Sequence, residues 1–153
     1  ELLVDARCDA AFLGYLNRPE ATAEKLTGGW YRTGDIAAML ADGDLELRGR
    51  VDDMVVSGGE NIHPEEVETV LLQHEAVRDA AVIGMPDDRW SERVVACIVA
   101  DGVDAETLDV WCRESVLANY KRPRAYVFLD ALPRNAANKL LRRELKRLAA
   151  AQG

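Results

Sequence analysis

The chain is 153 residues long, with 19 Lys and Arg against 27 Asp and Glu, a formal charge of −8, and 48% hydrophobic residues. That composition excludes a disordered chain, and the longest apolar run, Val94 to Ala100, is far too short to span a bilayer, so no stable membrane anchor is expected. Three cysteines, Cys8, Cys97 and Cys112, lie in separate segments without a C-x-x-C spacing, which indicates neither a disulfide framework nor a zinc site and points to a reducing cytoplasm.

The opening residues Glu1 to Asp5 carry no pattern of a targeting segment. Leu2 to Val4 reads as a strand. Asn17-Arg18-Pro19-Glu20 reads as a turn into a short helical piece up to Leu26, which Gly28-Gly29 breaks. Asp35 to Leu40 and Leu45 to Arg48 form a hairpin, because Asp42-Gly43 between two such runs is tight-turn chemistry. Fifty residues of this β-rich kind bury too little apolar surface for a convincing domain, so they read as cut from something larger.

From Arg50 onward the pattern changes. Met54 to Ser57 is a short strand, Gly58-Gly59 a turn, and Pro64 opens a helix to about Gln73, since a proline lacks only an N–H that the first helical position leaves unused. Val67, Val70 and Leu71 form its apolar face. Ala80 to Met85 and Arg93 to Ala100 are strands joined by Pro86-Asp87-Asp88-Arg89-Trp90. A helix from about Ala105 shows Leu108, Trp111, Cys112 and Val116 on one face, Tyr126 to Leu129 is another strand, and a last helix carries Leu141, Leu145 and Leu148. The expected fold class is α+β: a β-rich piece, then a compact unit with a small sheet and packed helices, the boundary lying near Arg50 to Asp53.

Charge is unevenly spread. Residues 1–117 carry 10 basic and 25 acidic side chains, while residues 118–153 carry 9 basic and 2 acidic. A cationic island in an acidic protein argues against nucleic-acid binding and leaves two readings open: a local site for a small polyanion, or a solvated basic helix.

Three segments together resemble one family. Tyr31-Arg32-Thr33-Gly34-Asp35, then Gly49-Arg50-Val51-Asp52-Asp53 with Gly58-Gly59-Glu60-Asn61-Ile62-His63-Pro64-Glu65-Glu66, then Pro133-Arg134-Asn135-Ala136-Ala137-Asn138-Lys139 resemble consecutive signatures of the adenylate-forming enzymes. That superfamily holds acyl- and aryl-CoA synthetases, adenylation domains of peptide synthetases, and luciferases. Among them the sequence most resembles aryl-CoA ligases of the halobenzoate type. The resemblance implies that residues 1–51 end a large N-terminal domain, that residues 52–153 form a mobile C-terminal domain, and that the chain is a C-terminal fragment lacking the phosphate loop and acid pocket. Such a fragment is expected to be inactive alone.

The implied substrates are ATP, CoA and a small carboxylic acid, with Mg²⁺ held through ATP phosphates and no metal ligand from protein. The resemblance gives Asp35 to the ribose hydroxyls of ATP, against the plain reading of a turn aspartate, and Arg50 to the ribose or phosphate end, against a strand-end arginine pairing with a neighbouring acid. Asp52 resembles a hinge that absorbs a φ/ψ change between two half-reactions, rather than a surface acid in a linker. Lys139 is implied to bridge the substrate carboxylate and the α-phosphate during adenylation. Its position just ahead of the last helix also puts a cation at a positive dipole end, which is unfavourable unless an anion is recruited. The plain alternative is a solvated lysine.

For CoA, the resemblance implies Gly58, Gly59 and Glu60 along the pantetheine route, and Trp90, Tyr120, Arg122 and Arg124 at the nucleotide end. The glycines are equally a strand-to-helix turn, and both aromatics equally ordinary core. Two positions depart from the family: Asn138 stands where glycine is common, and Val56 where lysine is common. Asn also tolerates the left-handed region, so the loop is expected to survive. His63 and His74 show no triad pattern, and His63 is expected to cap the Pro64 helix or fill space. The readings that remain beside the ligase are a peptide-synthetase adenylation domain and a non-catalytic module that binds nucleotide or CoA.

Overall fold

In the computed structural model, which describes residues 1–9, 11 and 13–152, the chain divides into two units, Glu1–Asp52 and Asp53–Gly153. In the first, β1 (Leu3–Asp5), β2 (Leu26–Thr27) and β3 (Trp30–Arg32) form an antiparallel sheet in the order β1-β3-β2. Gly28 and Gly29, with φ of 60° and 83°, supply the left-handed turn between β2 and β3. The expected helical piece is α1 (Pro19–Lys25), which starts on Pro19 itself, a residue the sequence reading left in the preceding turn. The strand Trp30–Arg32 was not foreseen, because three residues are too few for alternation to register. β4 (Asp35–Met39) and β5 (Leu45–Arg50) make the predicted hairpin, with β5 extending two residues further than read, so that Asp35 faces Arg50. Met39, Leu45 and Leu47 on this hairpin are exposed.

The second unit holds every buried hydrophobic side chain of the described residues, from Val55 to Ala149. A 3-10 turn over Val51–Asp53 spans the boundary between the units. β6 (Val55–Ser57) and β7 (Glu60–Ile62) form a two-residue hairpin on Gly58 and Gly59, both left-handed at φ 60° and 86°, as a primed turn requires. α2 (Pro64–Leu72) follows, opened by Pro64. His63 occupies the cap position of α2, yet its side chain makes no cap hydrogen bond. β8 (Val77–Asp87) and β9 (Ser91–Ala100) are the long hairpin, then come α3 (Ala105–Glu114), a 3-10 turn at Asn119–Lys121, β10 (Ala125–Phe128) and α4 (Arg142–Gln152).

β9 is central: β8 runs antiparallel along one side, while β10, parallel, and β6, at Ser91, take the other. Alternation then divides the core. Ala80, Val82, Val94, Ala96 and Ile98 pack with Val67, Leu71, Leu108 and Cys112 of α2 and α3. Ala81, Ile83, Val95, Cys97 and Val99 pack on the other face with Leu145 and Ala149 of α4. Burial on both faces is why these strands read as continuous apolar runs.

Other boundaries also differ from the sequence reading. β8 runs through Pro86, opposite Glu92, so the connection shrinks to Asp88-Arg89-Trp90; Pro86 is tolerated because β8 pairs only with β9 and its outer side needs no donor. α3 stops at Glu114, because the Ser115 hydroxyl donates to Cys112 O and accepts from the Leu117 N–H, leaving Val116 95% exposed and Leu117 buried in its place. Leu141 precedes α4 and is exposed, so the buried stripe of that helix is Leu145 and Ala149. Among the described residues no helix is long and apolar enough to cross a membrane.

Candidate functional site

Pairing of β4 with β5 brings Asp35 and Arg50 together in the first unit. Arg50 donates through Nη1 to Asp35 Oδ1 at 2.6 Å and through Nη2 to Thr33 O at 3.3 Å. The neighbouring acid of a strand-end arginine is therefore Asp35 itself, and the two candidate nucleotide ligands form one half-exposed ion pair. Gly34 makes this approach possible: at φ 78°, a Cβ there would stand 2.9 Å from Arg50 Nη2. Asp52 lies in the 3-10 turn that ends this unit and is exposed.

In the second unit, Ser57, Gly58, Glu60, Trp90, Tyr120 and Arg124 line one recess of about 90 Å³. The β6–β7 turn, the β8–β9 turn and the 3-10 turn before β10 each contribute to it. Gly58 donates its N–H to Trp90 O at 2.8 Å, and its Cα lies so close to the indole that a Cβ would meet Cε3 at 3.0 Å. Asp87 Oδ1 accepts from the Trp90 N–H at 3.0 Å, and the Arg89 guanidinium covers the ring at 4.6 Å. Arg124 donates to Asn119 O at 3.2 Å, across the turn that carries Tyr120. Of the seven residues expected along a CoA path, five share this recess. Gly59 and Arg122 do not line it. Arg122 turns inward, 12% exposed and 3.5 Å from Asp109, with Nε and Nη1 lacking a hydrogen-bond partner. Arg89 was not singled out by sequence, although its place beside Trp90 in a turn was a signal.

Lys139 sits in a tightly folded loop. Asn135 Oδ1 accepts from the N–H groups of Ala137 and Lys139 at 3.0 and 2.9 Å, and the Asn135 N–H donates to Lys139 O at 2.9 Å. Asn138 takes φ 60°, the conformation for which glycine or asparagine is suited. Arg134 closes the loop, donating to Asn138 O at 3.2 Å and to Asp79 Oδ2 of β8 at 3.0 Å. The helix begins only at Arg142, so Lys139 stands outside its first turn, where the dipole has little reach. The loop, rather than the dipole, holds this residue.

The cationic island is largely neutralised. Lys121 pairs with Glu66, Arg122 with Asp109, Arg134 with Asp79, Lys146 with Glu92, Arg147 with Glu144, and Arg142 with Asp53, Glu65 and Glu68. Arg124, Lys139 and Arg143 have no ion pair among the described residues. Cys8 is exposed, Cys97 and Cys112 are buried, and burial pushes the Cys97 thiol up to about 11. His74 accepts from the Ala76 N–H and meets Trp111 edge-on, a packing role.

Residues 66–139 match the model of the AMP-binding enzyme C-terminal domain. The chain is 52% identical over 147 residues to the 4-chlorobenzoate–CoA ligase of an Arthrobacter species, covering 95% of this chain and 28% of the relative. It is 47% identical over 135 residues to the 2-succinylbenzoate–CoA ligase of Bacillus cereus, covering 88% and 28%. Among solved structures, the o-succinylbenzoate CoA synthetase of Bacillus subtilis in complex with its acyl-adenylate intermediate aligns with a TM-score of 0.81 and 44% identity, over 88% of this chain and 28% of that one. The chain thus spans about 28% of the length of the curated relatives it matches.

Proposed function

Residues 66–139 belong to the AMP-binding enzyme C-terminal domain family, and on that premise we propose that the chain serves as the C-terminal part of an ATP-dependent carboxylate–CoA ligase acting on an aryl or acyl acid. A carboxylate oxygen attacks the α-phosphorus of ATP and pyrophosphate leaves. The CoA thiol then attacks the acyl carbon of the adenylate, losing its proton, and AMP leaves. Mg²⁺ accompanies ATP through the phosphate oxygens. Asp35 and Arg50 hold the nucleotide, Lys139 neutralises charge in adenylation, and Asp52 is the hinge by which residues 53–153 change pose between half-reactions. Gly58, Glu60, Trp90, Tyr120 and Arg124, with Gly59 beside them, receive CoA, and Arg122 joins them only by turning outward. Three free cysteines suit a cytoplasmic setting.

The state of Lys139 supports this reading most: its main chain is held at both N–H and C=O by Asn135, while its amine carries no ion pair among the described residues, in a segment whose other cations are mostly paired. A fixed stem with an uncommitted charge is what a transient anionic centre requires. In the full-length protein, Lys139→Ala is expected to slow pyrophosphate release roughly 100-fold or more while sparing thioester formation from supplied acyl-adenylate. Equal loss in both steps would contradict the assignment. A second reading, CoA binding without turnover, is favoured for this chain by itself, because the recess is built wholly from residues 57–124. No ATP–pyrophosphate exchange is expected from these 153 residues under either reading; exchange by the full-length protein supports the ligase, and its absence there favours binding alone.

A further inference from the structure

Arg142 opens α4, three residues beyond Lys139, and is 17% exposed. Its Nη1 donates to Val82 O at 2.7 Å and to Glu68 Oε1 at 3.1 Å, its Nε lies 3.1 Å from Asp53 Oδ2, and its Nη2 lies 3.7 Å from Glu65 Oε1. Glu68 Oε1 also accepts from the Val82 N–H at 2.7 Å. One guanidinium therefore joins the residue after Asp52, the helix α2, the strand β8 and the root of the Lys139 loop. Burial raises the Glu68 carboxyl and opposes the Arg142 charge, and the surrounding carboxylates restore it. A half-buried cluster of this kind is a weak source of stability, and its best-attested use is to specify register. Arg134 anchors the other flank of the loop to Asp79, so Lys139 lies between two fixed points.

We infer that Arg142 is a positioning residue for Lys139: by binding Asp53, Glu68 and Val82 at once, it makes the loop a rigid arm on the segment that follows Asp52. This rests on the reading of Lys139 as the adenylation residue. The Asn135 bonds fold the loop itself, and Arg142 sets where that loop stands relative to residue 53. A displacement of about 1 Å at a reacting group costs on the order of 100-fold in rate.

The test uses the full-length protein and two variants. Arg142→Lys keeps a cation but has no planar fork to reach separate partners, and Asp53→Asn removes one carboxylate while leaving the bonds to Glu68 and Val82. Single-turnover pyrophosphate release is expected to fall roughly 10- to 100-fold in Arg142→Lys, and less in Asp53→Asn, with the KM for ATP unchanged. Thioester formation from supplied acyl-adenylate should change less than about threefold, since that step does not use Lys139. Because Arg142 acts through Lys139, the double variant Lys139→Ala/Arg142→Lys should be no slower than Lys139→Ala alone. Parallel loss in both half-reactions, multiplicative loss in the double variant, or unimpaired adenylation in both single variants overturns the inference. If Arg142→Lys loses its cooperative melting transition, Asp53→Asn decides alone: selective loss of adenylation supports the inference and its absence refutes it. Should Lys139→Ala leave adenylation intact, the parent reading fails and takes this one with it; a crippled Lys139→Ala beside normal Arg142→Lys and Asp53→Asn removes only the inference.

Discussion

At Gly58 the absent side chain is what matters. The neighbouring Gly59 is also left-handed, but a Cβ there would meet nothing within 4 Å, whereas at Gly58 it would press on Trp90. Gly58→Ala and Gly59→Ala are each expected to lose about 1 kcal/mol or more of stability from backbone strain, measured by denaturant unfolding. Only Gly58→Ala should also shift Trp90 fluorescence and weaken CoA binding severalfold, because it alone displaces the indole. Equal CoA affinity in the two variants would separate the recess from CoA. The glycines themselves are legible in sequence as a turn. Their contact with a tryptophan 32 positions away is not, since nothing local records it.

Among the elements, α3 shows how a start is easier to read than a stop. Asp104 caps it by accepting from the Thr107 N–H at 2.9 Å, and that bond holds the Asp104 carboxyl below its ordinary 3.8. A lowered folded pKa means that the cap stabilises above the ordinary value and is lost as pH falls through the folded one. The thermal midpoint of Asp104→Ala should therefore lie below that of the parent at neutral pH, and the gap should close below pH 3.8. A gap that persists at lower pH would mean that something other than the carboxylate caps the helix. The end of α3 was misjudged at Val116 because its apolar periodicity continues past the point where the Ser115 hydroxyl takes over the backbone bonds. The last helix was misread in the same way: Leu141 matches the period, yet its N–H is spent on Pro133 O, before helical bonding begins.

For the molecule as a whole, burial is unequally shared between the units. The described hydrophobic core lies entirely between Val55 and Ala149. Residues 53–153 expressed alone should melt cooperatively, and residues 1–52 alone should show no cooperative transition by circular dichroism, since none of their described residues is a buried hydrophobic side chain. A sharp melt of the shorter piece would show that its small sheets are self-sufficient.

The sequence by itself determined what neighbouring residues encode: the Asp-Gly and Gly-Gly turns, the proline start of α2, the apolar runs of β8 and β9, and the three signature segments that carry the family. These are local, because φ/ψ preference and side-chain period act over a few residues. Tertiary structure alone decided that Lys121 meets Glu66 over 55 positions, that Arg142 meets Glu68 over 74, and that Lys139 has no ion pair among the described residues. A charge tally weighs all cations alike; only packing, which brings distant carboxylates within hydrogen-bond reach of some and not others, separates the structural cations from those left available, Lys139 among them.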